Sequence, residues 1–236
     1  MKLVMTKIWR IIGYFSQHTQ LNTNNMPLSK NMPSSKNTNN CLYHWQTGLS
    51  GQSSTKSGQP PNKMGIFLPS IDDLTDIVAI YNMAVPSKSI TADLTPIRTN
   101  MRTAWFHEHL HNPKRPIYVL KQLDNGVDGG KGRLVGWGSF SDLYARPAYH
   151  ISSEISLYLH PDYQQNGIGR TLLTWMLQQA SGLGIKNVVA LIFAHNQPSL
   201  ALFKRLEFVQ WGYMPQVCDM DGFLADVVML AKQIQT

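Results

Sequence analysis

Cysteine is scarce in this chain of 236 residues, and Cys41 and Cys218 are too few for a disulfide framework and too far apart for a zinc ribbon. A reducing cytoplasm is therefore the expected compartment. No uninterrupted apolar run approaches the ~20 residues a spanning helix needs, so no stable membrane insertion is expected. Acidic residues are absent before Asp72, although seven lysines and arginines fall there. Taking those seven from the 21 basic residues leaves 14, equal to the 14 acidic ones, so the net charge of +7 belongs entirely to the N-terminal segment. A remainder without net charge offers no basic stripe, and nucleic acid is not expected as a partner. No internal repeat is present.

What is present divides near residue 63. MKLVMTKIWRIIGYF sets Val4, Ile8, Ile11, Ile12 and Phe15 along one side of a helix, with Lys2, Thr6, Arg10 and Gly13 opposite. Such a basic amphipathic stretch suits a membrane surface or a targeting segment, and equally a leader without function. Residues 16 to 63 are rich in Asn, Ser, Thr, Gln and Lys and bury too little apolar surface to offset the entropy of folding. Residues 1–63 thus read as a disordered basic tail and residues 64–236 as the folded domain.

From Met64 the pattern changes. GIFL is a short apolar run, and Leu74, Ile77, Val78 and Tyr81 then recur at helical spacing behind a Ser70/Asp73 capping pair. TNMRTAWFHEHLH reads as a second helix stopped by Pro113. PIYVLKQL and RLVGWGSFSDL form a hairpin across a Gly-rich turn. After the loop YARPAYHIS come the strand SEISLYLHP, an amphipathic helix, the apolar strand VVALIF, a helix opened by NQPS, and final strands around FVQWGYM and ADVVMLA. The expected fold class is α/β, with a mixed, mostly antiparallel sheet flanked by helices.

Two glycines interrupt the chain between SEISLYLHP and its following helix, in QQNGIGR. A dinucleotide fingerprint does not fit, because Leu172 holds the third glycine position and no acidic residue follows until Glu207. A P-loop does not fit either, for lack of GK[ST]. What remains is a strand, a tight turn and a helix whose free amides and positive dipole end suit a pyrophosphate. A merely tight strand-to-helix turn accounts for the same spacing.

Gln164-Gln165-Asn166-Gly167-Ile168-Gly169 resembles the [RQ]xxGx[GA] signature of the GCN5-related N-acetyltransferases, and the similarity runs from about Met64 to the C-terminus. Within that superfamily the chain resembles the phosphinothricin and amino-acid N-acetyltransferases. Ala145-Arg146-Pro147-Ala148-Tyr149 resembles their ARxAY loop, Asn196-Gln197-Pro198-Ser199 their NxPS helix start, and Gly222 to Asp226 their GxxxD turn, while Glu154 stands in the strand before the signature. The resemblance implies acetyl-CoA as co-substrate and no metal. It also implies that backbone groups of Leu157, Tyr158 and Leu159 pair with the pantetheine arm like an added strand. Gln165, Asn166, Gly167, Ile168, Gly169 and Arg170 would hold the pyrophosphate, and Asn196 would bond the cofactor near its amide, unless it serves only as a helix cap. Homodimers are implied as well.

Acetyl transfer needs a neutral amine, and a free amine's pKa lies roughly two units or more above neutral. Glu154 is the candidate base: alternation puts it on one face with Ser156 and Tyr158, and Ile155, Leu157 and Leu159 on the other. The developing oxyanion would meet a backbone amide near Leu157. Arg146, in the loop before that strand and flanked by Tyr144 and Tyr149, is the candidate clamp for a substrate carboxylate, with Tyr149 beside it. Three positions depart from the family's usual pattern: Asp221 stands where a histidine is common, Phe203 where a Tyr or His is common, and Ala92 where an aromatic follows a Thr. Two rival readings exist. His107-Glu108-His109-Leu110-His111 satisfies HExxH, but Pro113 ends the helix at once and no third ligand follows, so it reads as a surface helix. A non-catalytic acyl-CoA-binding module is the other.

Overall fold

The computed structural model describes residues 41–46, 63–123 and 132–235. Within them one sheet contains β1 (Cys41–Gln46), β2 (Lys63–Phe67), β3 (Ile117–Leu123), β4 (Gly132–Asp142), β5 (Ser152–Leu159), β6 (Asn187–Phe193), β7 (Val209–Asp219) and β8 (Leu224–Gln233). Their spatial order is β1-β2-β3-β4-β5-β6-β8-β7. Neighbours are antiparallel except β5 and β6, which run parallel. The helices are α1 (Leu74–Ala84), α2 (Thr99–His111), α3 (Ile168–Ala180) and α4 (Gln197–Arg205).

The helices divide between the two faces because strand alternation supplies two apolar surfaces. Ile117 and Val119 of β3 pack with Leu74, Ile77 and Val78 of α1 and Phe106 of α2. Tyr118 and Leu120 point the other way, into a core with Leu172, Leu173 and Met176 of α3 and Leu200 of α4. The start of α1 is fixed as its sequence predicts: the Ser70 amide donates to the Asp73 carboxylate at 2.8 Å, and Asp73 also pairs with Lys121 of β3 at 2.7 Å. One carboxylate thus caps the helix and ties it to the sheet.

The described strand β1 lies inside the stretch that composition assigns to the linker, which corrects that reading for Cys41–Gln46. The segment CLYHWQ pairs antiparallel with β2, and Trp45 packs on the core. A few β-prone aromatic residues suffice here because the edge of β2 offers unpaired backbone groups to any strand that reaches it. The remaining tail, including the amphipathic segment 1–15, lies outside the described residues. At the other end, β7 extends past FVQWGYM through Pro215 to Asp219, with irregular register between Met214 and Cys218. An edge strand tolerates that proline, since its missing donor breaks no ladder on the open side. Among the described residues no helix is long and apolar enough to cross a membrane.

Candidate active site

Strands β5 and β6 pair only at Ser152↔Asn187, Ser153↔Val188 and Glu154↔Val189. Beyond that point β5 stays on β4 through Leu159, and β6 stays on β8 through Phe193. The two therefore diverge, and on that side the backbone of Ile155–Leu159 has no strand partner among the described residues. Between them opens a cleft of about 1260 Å³, whose walls include Leu157, Tyr158 and Leu159 on one strand and Ala190 to Phe193 on the other. An extended ligand fits this edge as an added strand would.

One end of the cleft is built by the Gly-rich turn. Gln165 and Gly167 adopt φ of 61° and 77°, a region that costs a side-chain-bearing residue and favours glycine. The first helical hydrogen bond of α3 runs from the Thr171 amide to the Gly167 carbonyl at 3.0 Å, so the amides of Ile168, Gly169 and Arg170 lead into the helix free of that ladder. Gly169 serves closeness instead: a Cβ there would stand 3.1 Å from Leu159 Cδ1, a tight contact to which the leucine tip would have to yield by a few tenths of an ångström. Gln165, Gly167, Gly169 and Arg170 line the cleft, as does Arg205 at the end of α4. Free amides, a helix dipole and two guanidinium groups make this end suited to phosphates. Asn166 is exposed beside the turn and the Ile168 side chain is buried in the core, and neither lines the cleft.

The other end is the apex, where Glu154 lines the wall. Strand register sets Ser141 directly across from Glu154, Ser139 across from Ser156, and Trp137 across from Tyr158. The expected alternation holds, with Ile155 in the α3 core and Tyr158 packed against the α1 core. Burial pushes the Glu154 carboxyl up to about 7, since a low-polarity site disfavours its ionised form. Tyr158, stacked on Trp137 at 4.5 Å, is pushed far up by burial, which keeps its phenol neutral. A carboxyl half-ionised near neutrality is poised to take a proton.

Asn196 lines the cleft but is also a helix cap: its Oδ1 accepts from the Ser199 amide at 3.1 Å, and its Nδ2 donates to the Ser89 carbonyl at 2.9 Å. It thereby ties α4 to the loop carrying Thr91 and Ala92, both on the cleft wall. The structure does not bring Arg146 and Tyr149 onto that wall. Arg146 is exposed, and Tyr149 packs edge-on against Tyr144, which does reach the cleft. The loop is anchored from below by buried Arg115, which donates to Asp142 and to the His150 carbonyl, each at 2.7 Å. Asp221 sits exposed in the β7–β8 turn, where Lys88 donates to its carbonyl at 2.7 Å. Phe203 is buried at the wall against Phe208.

The HExxH helix does not behave as a surface helix throughout. His107, Glu108 and His111 are exposed, whereas His109 is buried, its Nδ1 donating to the Trp105 carbonyl at 2.8 Å and its Nε2 facing Ser141 Oγ at 3.2 Å. Among the described residues no cluster of three or more metal-ligating side chains occurs. Sequence reasoning missed Arg205 and Tyr81 on the wall. For Arg205 a signal existed, because Pro198, Ala201, Leu202 and Arg205 follow i, i+3, i+4, i+7 from the recognised cap and all face the cleft.

Comparison with known proteins agrees with this geometry. The family described as the acetyltransferase (GNAT) family matches residues 77–208. A candidate phosphinothricin acetyltransferase of Bacillus subtilis, YwnH, is 37% identical over 162 residues, covering 69% of this chain and 94% of its own. An L-methionine sulfoximine/L-methionine sulfone acetyltransferase of Salmonella typhimurium is 30% identical over 164 residues, covering 69% and 90%. The solved structure of yncA from Salmonella typhimurium with its cofactor acetyl-CoA superposes with a TM-score of 0.65 at 29% identity, covering 73% of this chain and 95% of that one.

Proposed function

The chain belongs to the GNAT acetyltransferase family and is an acetyl-CoA-dependent N-acetyltransferase, and from that premise we propose that its acceptor is the α-amino group of a small amino acid of the methionine sulfoximine or phosphinothricin type. Acetyl-CoA supplies an activated acyl group as a thioester. The residues present fit it: the open edge of β5 takes the pantetheine arm, and the α3 turn with Arg170 and Arg205 takes the phosphates.

The observation that carries the reading is Glu154 at the point where the strands part, with its carboxyl raised to about 7. An ammonium held beside it gives up a proton to the carboxylate, directly or through a water, and the freed lone pair faces the cleft. The amide of Leu157, on the open edge, is placed to stabilise charge developing on the acyl oxygen. Of the loop that ends at β5, Tyr144 is the residue placed to meet the substrate, since it lines the cleft while Arg146 and Tyr149 stand off its wall. We read the active form as a homodimer, supported by the exposed apolar strip of Val209, Trp211, Tyr213, Phe223 and Leu224 along the β7 edge.

A coenzyme A release assay tests the reading, run with amino acids, phosphinothricin, methionine sulfoximine, polyamines and aminoglycosides. Turnover confined to α-amino acids is the expected result. Equal or better turnover of polyamines or aminoglycosides overturns it.

A further inference from the structure

A second cavity, of about 120 Å³, lies between α1, α2 and the face of the sheet that carries Glu154. It meets the acyl cleft along Tyr81, Ser156 and Tyr158, which line both. Ser139 and Ser141 lie on its wall, and Ser141 is the residue directly across from Glu154. An amine held at Glu154 therefore has this cavity beside it.

The remaining walls are the aliphatic Ile77, Val78 and Ile97, the aromatic Trp105 and Trp137, and Arg102 with its guanidinium. That guanidinium stands 5.0 Å from the Tyr81 ring centroid and 5.6 Å from that of Trp105. Its charge is opposed by Asp93 at 3.6 Å, a carboxylate that also accepts from the Tyr81 hydroxyl at 2.5 Å and does not line the cavity. The ion pair is too long for a strong hydrogen bond, so the guanidinium keeps donor capacity for a ligand in the cavity it lines.

These features set a charge rule. The Arg102–Asp93 pair carries no net charge, so an anion entering the cavity loses hydration while the carboxylate behind the guanidinium offsets part of the attraction it would gain. An uncharged acceptor loses far less on leaving water and still receives charge-assisted hydrogen bonds from Arg102 and hydroxyl contacts from the serines. An apolar end fits the aromatic walls but leaves those donors unanswered.

We propose that this cavity is the subsite for the substrate's side chain, and that Arg102, backed by Asp93, selects side chains ending in an uncharged hydrogen-bond acceptor, such as a sulfone, sulfoximine or carboxamide, over those ending in an anion. The inference rests on the amino-acid reading above and goes further, because it separates substrates that the reading groups together.

The test is kcat/KM for the full-length protein with L-methionine sulfone, L-glutamine, phosphinothricin and L-norleucine. Methionine sulfone is expected to exceed both phosphinothricin and norleucine by about tenfold or more, as charge-assisted donors left without an acceptor discriminate strongly. Arg102→Met keeps the stem and removes the donors, and the sulfone-to-norleucine ratio should then fall by about tenfold. Asp93→Asn leaves the guanidinium charge uncancelled, and the phosphinothricin-to-sulfone ratio should rise by about fivefold or more. A thermal shift with acetyl-CoA reports that each variant is folded, and the Asp93 variant decides the matter if the Arg102 variant is not. Preference for phosphinothricin in the wild type, or ratios unmoved in the variants, overturns the subsite alone. Absence of turnover with every amino acid overturns the functional reading, and the subsite with it.

Discussion

Glu154 and Val189 form the last residue pair between β5 and β6 before the strands part. The carboxylate is thereby fixed at the apex of the cleft, where burial lifts it to about 7. Only the ionised form accepts a proton, so kcat/KM at saturating acetyl-CoA should rise with pH up to about 7 and level off above it. Glu154→Gln should lower turnover at pH 7.5 by about 10² or more while the affinity for acetyl-CoA, measured by calorimetry, stays put. A variant that keeps both its turnover and the acidic limb would move the base elsewhere.

The same burial has a stability cost, whose sign follows from the direction of the shift. The folded carboxyl titrates near 7 and the unfolded one near 4.5, so below 4.5 both are protonated and no penalty exists. Between these values the unfolded chain releases its proton first, and stability falls as pH rises. Above 7 the penalty is constant. Glu154→Gln removes it, and the variant should be more stable than the wild type at pH 8 by about 3 kcal/mol, yet near-equal at pH 4.5. Urea midpoints at the two pH values check this, and a stability difference that does not change with pH would mean the carboxyl is better solvated than its position implies.

Much of this site was legible in the sequence for a physical reason: alternation and helical spacing report which side chains are buried, and the β5 and α3 patterns are both strong. The turn was legible because Gly167 sits at a backbone angle few other residues tolerate. Three features were not legible. Strand β1 is six residues in a polar stretch, and it exists only because the edge of β2 receives it. Arg102 stands in a helix with little amphipathic contrast, so nothing marks it as inward-facing; its partners Asp93 and Tyr81 come from other segments. Arg146 carried a motif resemblance, but a motif gives no information on which way a loop side chain is exposed.

The position of β1 leads to a further expectation about where the folded unit begins. Removing residues 1–40 leaves β1 in place, and acetyl-CoA should raise the melting temperature of that truncated protein as it does for the full chain. Removing residues 1–62 instead strips β1 from β2 and exposes a sheet edge along Lys63–Phe67, together with the core surface beneath Trp45. That shorter protein should still bind acetyl-CoA, because the cleft lies four strands away, but it should self-associate, visible as concentration-dependent light scattering. A monodisperse product from the longer deletion would show that β1 contributes nothing to edge protection.

The turn before α3 yields the last expectation, which separates backbone strain from simple crowding. A Cβ at Gly167 meets nothing within 4 Å, so any penalty for a side chain there comes from its φ of 77° and not from a clash. Gly167→Ala should therefore cost about 1 to 2 kcal/mol, relieved in part by a shift of the turn that carries the amides of Ile168, Gly169 and Arg170 out of line with a bound phosphate. Affinity for coenzyme A should drop about five- to thirtyfold, with kcat at saturating acetyl-CoA largely kept, because Glu154 sits at the opposite end of the cleft. Gly167→Asn has the larger side chain but tolerates left-handed backbone, so it should lose less than alanine despite its size. Calorimetric titration of both variants with coenzyme A decides the point: a greater loss for asparagine would assign the glycine to space, and a greater loss for alanine assigns it to conformation.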